Sequence, residues 1–570
     1  MHLTKKCDIK WKKYAVTVFF LGVVLCSFFS ACTLAKLNGL DSFEKEITSF
    51  VFKASRNSGL TSDITGRIES DTVHIIVPFG TSLNLIPTIG INGKSISPPS
   101  NISQSFTDNV GLPYTVTAED GSTRTFMVIV HVAPHEGIPP GCVMLTNVIE
   151  DNTQVSFQWT DPPDEDLDHI EITWTPDGAA INFVSAGGAA FTATGLTNGT
   201  EYTFSLVSVD LAGNRSAPVT ATAVPQSGSG PVINYCIYTA ADLNAVRGGI
   251  KTGWDKTKSY IMMADVDLAG FSPWVPIGTD GDVFSGNLNG NGHRITGLYI
   301  NDDGDYQGLF GYISGPTVIK DLTILDCNIT GGLYLGALAG KFDQDGTGTA
   351  TISNVHVSGT ITSVVGGVIY AGGLVGWLGP KVYSALTSLV TGCGVSITLT
   401  TGSNQSIYGF LGGITGRQEG QWRISECYVE GTISSPKGAY LGGLVGSTNG
   451  WISDCYSRAD VAGWEYVGGL CGGSTTDIYN SYATGDVTRT TGTYTGFGGL
   501  LGSGSGAGRY VTCCYSGTLI GGITDNAFGD RKTGTEMKVQ ATYSGWNFTT
   551  IWNIDGATNS GFPYLRSNPP

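Results

Sequence analysis

Between Gly308 and Gly502 one phrase returns seven times, as GLFG, GALAG, GGLVG, GGITG, GGLVG, GGLCG and GGLLG. Its final glycines are Gly311, Gly340, Gly376, Gly416, Gly446, Gly472 and Gly502, at separations of 29, 36, 40, 30, 26 and 30 residues. Recurrence at this period belongs to stacked repeats rather than to a single globular core. Each copy is followed by a second apolar phrase (VIKDLTI, TISNVHV, LVTGCGV, RISECYV, WISDCYS, DIYNSYA, YVTCCYS), and most by a third, such as GTITS or ADVAG. Three short strands per repeat predict a triangular coil, with each strand paired to its counterpart one coil away at about 4.8 Å. Such a stack is a parallel β-helix. Glycine is expected at its corners, where positive φ or close backbone approach excludes other residues.

These phrases resemble the GLUG repeat family. The lead-in YIMMADVDLAGFSPWVPIG and the tail GWNFTTIWNIDGATNSGFPYL are similar to the opening and closing segments of that family. The resemblance covers Tyr235 to Leu565 and implies a right-handed parallel β-helix over residues 233–570. Members occur in bacterial surface proteins, in adhesin-like chains and as appendages of immunoglobulin A proteases, so the fold alone fixes no activity.

Two further β-rich segments precede the repeats. Residues 46–134 hold alternating strands, with EDGS as the turn of a closing hairpin, and resemble the immunoglobulin-like modules of bacterial surface lipoproteins. Residues 137–226 place Trp159 on an early strand and Leu196 six residues before Tyr202. This pattern resembles fibronectin type III, in which such a Leu and Tyr form the tyrosine corner. PQSGSGP predicts a flexible linker over 227–232. The fold class expected is all-β: two sandwiches followed by a β-helix.

The chain opens with five lysines in MHLTKKCDIKWKKY, then the apolar run AVTVFFLGVVLCSFFSA. A basic start, a short apolar stretch and small residues before a cysteine predict an export signal over 1–31. FSAC resembles a bacterial lipobox, with Phe29 where leucine is commoner, and implies lipidation of Cys32 and a tether over 32–45. Removing 1–31 takes away those lysines and Asp8, so the net charge of -16 becomes -20. Nucleic acid is set aside as a partner, because phosphate neutralisation needs clustered Lys and Arg, absent beyond the first fourteen residues.

Candidate chemistry is sparse. The seven histidines form no His-Glu-x-x-His pair and no Gly-x-Ser-x-Gly elbow occurs, so neither a zinc site nor a serine triad is expected. No cofactor, metal or catalytic residue is assigned. Glu426 and Asp454 stand at one repeat position, within the range paired carboxylates need for glycoside cleavage. Asn354 and Asn480 share that position, which favours a polar corner ladder. Cys393, Cys427, Cys455 and Cys514 align as a small ladder shared with Leu322, Val355 and Ser481. Beside them Tyr428, Tyr456, Tyr482 and Tyr515 form either a core stack or an outward stripe suited to sugar rings.

The function expected is that of an envelope-anchored surface lipoprotein of the outer membrane. It would bind a glycan or host matrix through its β-helix without catalysis. The alternatives are a polysaccharide-degrading β-helix enzyme and a purely architectural envelope protein.

Overall fold

The computed structural model describes residues 42–133, 139–164, 166–176, 178–227, 232–380, 386–402, 407–492, 495–504, 510–526 and 528–570. The export signal and Cys32 lie outside them.

The first unit runs to Pro139 and also includes Asp210–Asn214. Its Glu46–Phe52 strand pairs antiparallel with Pro87–Asn92 and Ile64–Thr65. A five-stranded sheet carries the Leu112–Thr117 and Thr123–Val132 hairpin, with EDGS in its turn, and Thr72–Val77 joins it in parallel. Alternate residues point inward, so Phe50, Phe52, Val73, Tyr114 and Phe126 of the two sheets meet in one core. The Phe50 and Tyr114 rings touch edge to face at 5.4 Å.

The second unit contains the fibronectin-like sandwich and the coils together. Phe157, Trp159, Leu196 and Phe204 fill the sandwich, and the Thr197 amide donates to the Tyr202 hydroxyl at 3.0 Å, closing the expected tyrosine corner. Strand Val232–Ile237 pairs antiparallel with the sandwich strand Met144–Asp151 on one edge. On its other edge it pairs in parallel with Ser259–Met262, the first coil strand. Cys236, Ile261 and Met263 accordingly belong to the sandwich core. Lys320 is ion-paired to Glu201, and Asn291 accepts from the Thr222 amide at 3.1 Å. The expected linker includes Val232, which is already in this shared strand. The seam is a continuous sheet, not a hinge.

The coils repeat one plan. In the coil from Tyr440 to Gly463, strands Tyr440–Gly442 and Val445–Thr448 flank Gly443 and Leu444, and Trp451–Ser453, Tyr456–Ser457 and Asp460–Gly463 complete the turn. Each pairs in parallel with its counterpart in the next coil. The first strands of each coil stack as a six-stranded sheet and the second as a seven-stranded one. Inside, Leu, Ile and Val side chains form one continuous core from Ile237 to Tyr515.

The work expected of glycine is divided between two kinds of residue. Positive φ is taken at one corner by Asp321, Asn354, Gly392, Glu426, Asp454, Asn480 and Thr512, mostly polar residues that tolerate the left-handed region. Side chains link this corner from coil to coil: Asn354 donates to Asp321 at 2.8 Å, and Thr512 to Asn480 at 2.6 Å. The glycines of the repeated phrase serve close approach instead. A Cβ on Gly443 would collide with Oγ of Ser457, and one on Gly499 with the ring of Tyr515.

Because Ile261 sits on a coil strand but packs into the sandwich, Ile261→Ala is expected to cost about 2–5 kcal/mol. Calorimetry should show sandwich and β-helix melting in one transition, lowered as a whole by this substitution; a shift in only one of two separate transitions would contradict the shared strand.

Candidate functional site

Three of the four tyrosines expected beside the cysteines form one stack. Tyr428, Tyr456 and Tyr482 occupy one register. Their rings stack at 5.4 and 5.1 Å, almost parallel. They point away from the coil core, yet Tyr456 and Tyr482 are fully buried because the C-terminal segment covers them with Tyr543, Trp546, Trp552 and Leu565. The Tyr482 hydroxyl donates to the carbonyl of Pro563 at 2.6 Å and accepts from Asn559 at 2.8 Å. This stack is the covered core of a second layer and offers no ring to a sugar.

Tyr515 does not belong to the stack. Cys514 lies opposite Tyr482, while Tyr515 lies opposite Ala483 and faces the coil interior. The word CYS suggested the alignment, but the left-handed corner residue sets it. Glu426, Asp454, Asn480 and Thr512 are each followed by the inward residue, which makes Cys513, not Cys514, the ladder member. The thiols of Cys393, Cys427 and Cys455 donate to the carbonyl two residues earlier, of Thr391 at 3.4 Å and of Ser425 and Ser453 at 3.1 Å, and Cys513 donates to Ile478 of the preceding coil at 3.4 Å. A slip of one residue on a strand reverses the face.

The carboxylates also anchor the C-terminal segment. Asp454 accepts from the Trp552 indole at 3.1 Å and from Asn480 at 3.2 Å, and Glu426 from Ser567 at 3.0 Å. Both stand at left-handed corners, as the polar ladder reading expects. His293 pairs with Asp265 in the lead-in at 3.2 Å.

A different aromatic file lies on the outer surface, at the head of the repeated phrase. Tyr306, Tyr334, Tyr370, Phe410, Tyr440 and Tyr466 each open one copy. Neighbouring rings stack at 4.7, 5.2, 5.3, 5.1 and 4.6 Å. They face outward because the residue after each, from Leu335 through Ala371, Leu411 and Leu441 to Val467, is locked in the coil core. A second file runs beside it at the position after the final glycine: Tyr312, Lys341, Trp377, Arg417, Ser447, Gly473 and Ser503, in register coil by coil.

The second file changes character along the stack. In the earlier coils it is bulky: Lys341 lies over the rings of Tyr312 and Trp377 at 4.5 and 4.4 Å and pairs with Asp343 at 3.1 Å. From Ser447 onward it is small. There the surface sinks into a groove of about 480 Å³, lined by Tyr408, Phe410, Arg417, Tyr440, Ser447 and Thr475 among others. Arg417 lies over Phe410 at 4.9 Å and is ion-paired to Glu419. Tyr408, 49% exposed, stands crosswise to Phe410 and Tyr440 with centroids 6.1 Å from each. It offers aromatic surface that the parallel stack does not cover. The groove lining thus combines aromatic rings, hydroxyls and a guanidinium. Those are the groups that meet the C–H face and the hydroxyl rim of a sugar ring. The sequence signal was present: six successive copies open with Tyr or Phe, one residue type before an inward strand position.

The comparisons with known proteins divide the chain in three. Residues 47–130 match the family model described as SGBP, N-terminal. Residues 139–222 match the fibronectin type III domain and 465–488 the GLUG motif. Halomucin of Haloquadratum walsbyi is 33% identical over 162 residues, which are 26% of this chain and 2% of that protein. A protein of Evansella cellulosilytica, whose name describes it as a Gly-rich membrane protein, is 37% identical over 116 residues, 19% of this chain and 13% of its own. The chain therefore spans a small part of either relative. Among solved structures, a pectate lyase from Pectobacterium carotovorum aligns over 62% of this chain and 91% of its own at 14% identity and a TM-score of 0.14. The chicken CNTN1 fibronectin domains align over 29% and 71% at 12% identity and 0.15. The fold is all-β, with a fibronectin type III domain and GLUG coils.

Burial, with Tyr306 and Tyr370 alongside, pushes the Tyr334 hydroxyl up to about 12; burial, with Tyr408 alongside, does the same for Tyr440. Burial also holds those of Tyr456 and Tyr482 far above the ordinary range. A raised folded-state value favours the native state fully below the unfolded pKa near 10, and the advantage is lost as pH climbs from there toward 12. The coils should therefore keep their stability up to about pH 10 and lose it steeply above. The tyrosinate absorbance lost on replacing Tyr334, Tyr440, Tyr456 or Tyr482 with Phe should appear together with the loss of strand circular dichroism in an alkaline titration; that component appearing near pH 10 in an intact fold would contradict this.

Proposed function

We propose that this chain is a surface glycan-binding protein, held in the bacterial envelope by a lipid on Cys32, with the outer groove of its β-helix as a sugar site. The observation that carries the reading is the groove itself, where the crosswise Tyr408 ring and the Phe410–Tyr440 stack face hydroxyls of Ser447 and Thr475. The match of residues 47–130 to the N-terminal domain of SGBP supports a carbohydrate-related role at the cell surface. The sandwiches then serve as spacers, the second of them joined to the coils through a shared strand.

The mechanism is recognition without bond breaking. A pyranose ring lies with its C–H face on Tyr408 while the hydroxyl rim hydrogen-bonds to serine, threonine and guanidinium groups. Such a contact is taken as comparable to an aromatic pair, which contributes about 0.5–1.5 kcal/mol beyond area burial. Tyr408→Ala and Tyr440→Ala should each weaken binding on a glycan array about two- to tenfold while circular dichroism stays unchanged. Tyr299→Ala, at an exposed tyrosine outside the groove, should leave binding intact. Equal binding by all three variants would move the site elsewhere.

The anchor has its own test. Cys32→Ser should shift the protein from the detergent-extracted membrane fraction to the soluble fraction and abolish labelling by a fatty-acid analogue; unchanged labelling would remove Cys32 from this role.

A further inference from the structure

Resting on that reading, we propose that the groove takes the end of a neutral glycan chain and not a stretch of its interior. The second file sets the geometry. Its residues stand one per coil, so it is a ruler along the β-helix axis, and the step from Arg417 to Ser447 is one coil of about 4.8 Å. Within that step the surface drops from a guanidinium to a hydroxymethyl group. Gly473 in the next coil has no side chain, and the ring of Tyr440 leans over it so closely that a Cβ there would lie 3.0 Å from the ring carbon.

The groove therefore runs from Ser447 toward Ser503 past the Tyr440 ring, which covers the buried Gly473, and meets a wall at Arg417. That wall is firm. Arg417 lies over Phe410 at 4.9 Å and is ion-paired to Glu419, and behind it Trp377 occupies the same position one coil earlier, stacked near Tyr370 at 5.7 Å. Tyr408, on the same strand as Phe410, stands crosswise to Phe410 and Tyr440 and also lines the groove. A chain lying along the floor cannot continue past this wall. An interior segment needs clearance at both ends of its binding groove, whereas a terminus needs it at one only.

The charge at the wall narrows the class. Arg417 is matched by Glu419, so the end wall offers N–H donors without net positive charge, and the whole chain carries -16. Neutral hydroxyls of a terminal sugar satisfy such donors, while a uronate would meet an already compensated guanidinium and a repelling field.

The test uses the full chain and a panel of neutral glucans, mannans and galactans as probes, with polygalacturonate as the acidic comparison. For the best-binding neutral glycan, a long polymer and its short oligosaccharides are compared at equal concentrations of chain ends. End recognition predicts equal affinity per chain end. Interior recognition predicts that a polymer tenfold longer binds about tenfold more tightly per chain, because each chain offers proportionally more sites, and that result would overturn the proposal while leaving sugar binding in place. Arg417→Ala removes the wall and should convert the first pattern into the second; Ser447→Trp should extend the wall and lower affinity at least tenfold. Preference for polygalacturonate would overturn the neutral assignment. Failure of every probe to bind would overturn the glycan reading itself, and this inference with it.

Discussion

The parallel backbone ladder from one coil to the next is the constraint on which the rest of the second unit depends. It fixes the axial spacing of every equivalent side chain, so any residue type repeated at one coil position becomes a file. Six files result: an apolar core, a thiol ladder, a polar corner, a covered tyrosine stack, a half-buried aromatic edge and the outer file from Tyr312 to Ser503. Their chemistry differs only because each position faces a different side. Seen this way, the left-handed corner at Asp454 and its equivalents matters more than its size suggests. It sets the phase in which the following residues turn in or out, and a phase error of one would exchange thiol for tyrosine.

The same ladder explains why the sandwich and the coils form one body. A β-helix has open strand edges at its ends, and an open edge invites pairing with other chains. Here the Val232–Ile237 strand passes the coil edge directly to the sandwich, so the first edge is closed by a folded domain. On the flank, the C-terminal segment covers a tyrosine stack that would otherwise be a large apolar patch. Both devices turn a hazard of the repeat into a place of attachment.

The aromatic groove arises by subtraction. A complete outer file of Tyr, Lys, Trp and Arg would leave a flat, filled surface, as it does in the earlier coils. Replacing those residues with Ser447, Gly473 and Ser503 keeps the backbone unchanged and removes side-chain volume along one line. Repeat proteins can acquire a site in this manner without altering their fold, because each coil depends mainly on its neighbours.

Much of this was legible in the sequence. Glycine phrases at a period of 26 to 40 residues determined the β-helix, Leu196 and Tyr202 determined the tyrosine corner, and the shared position of Asn354, Glu426, Asp454 and Asn480 marked a polar corner. Those features are local, and local backbone demands leave a direct trace in residue type. The fate of the tyrosines was not legible. Tyr456 and Tyr440 are the same residue at outward positions of the same coil, yet one is buried and the other lines a groove. What separates them is a segment about a hundred residues downstream in the chain that folds back over one flank and not the other, and only tertiary packing decides which face it covers.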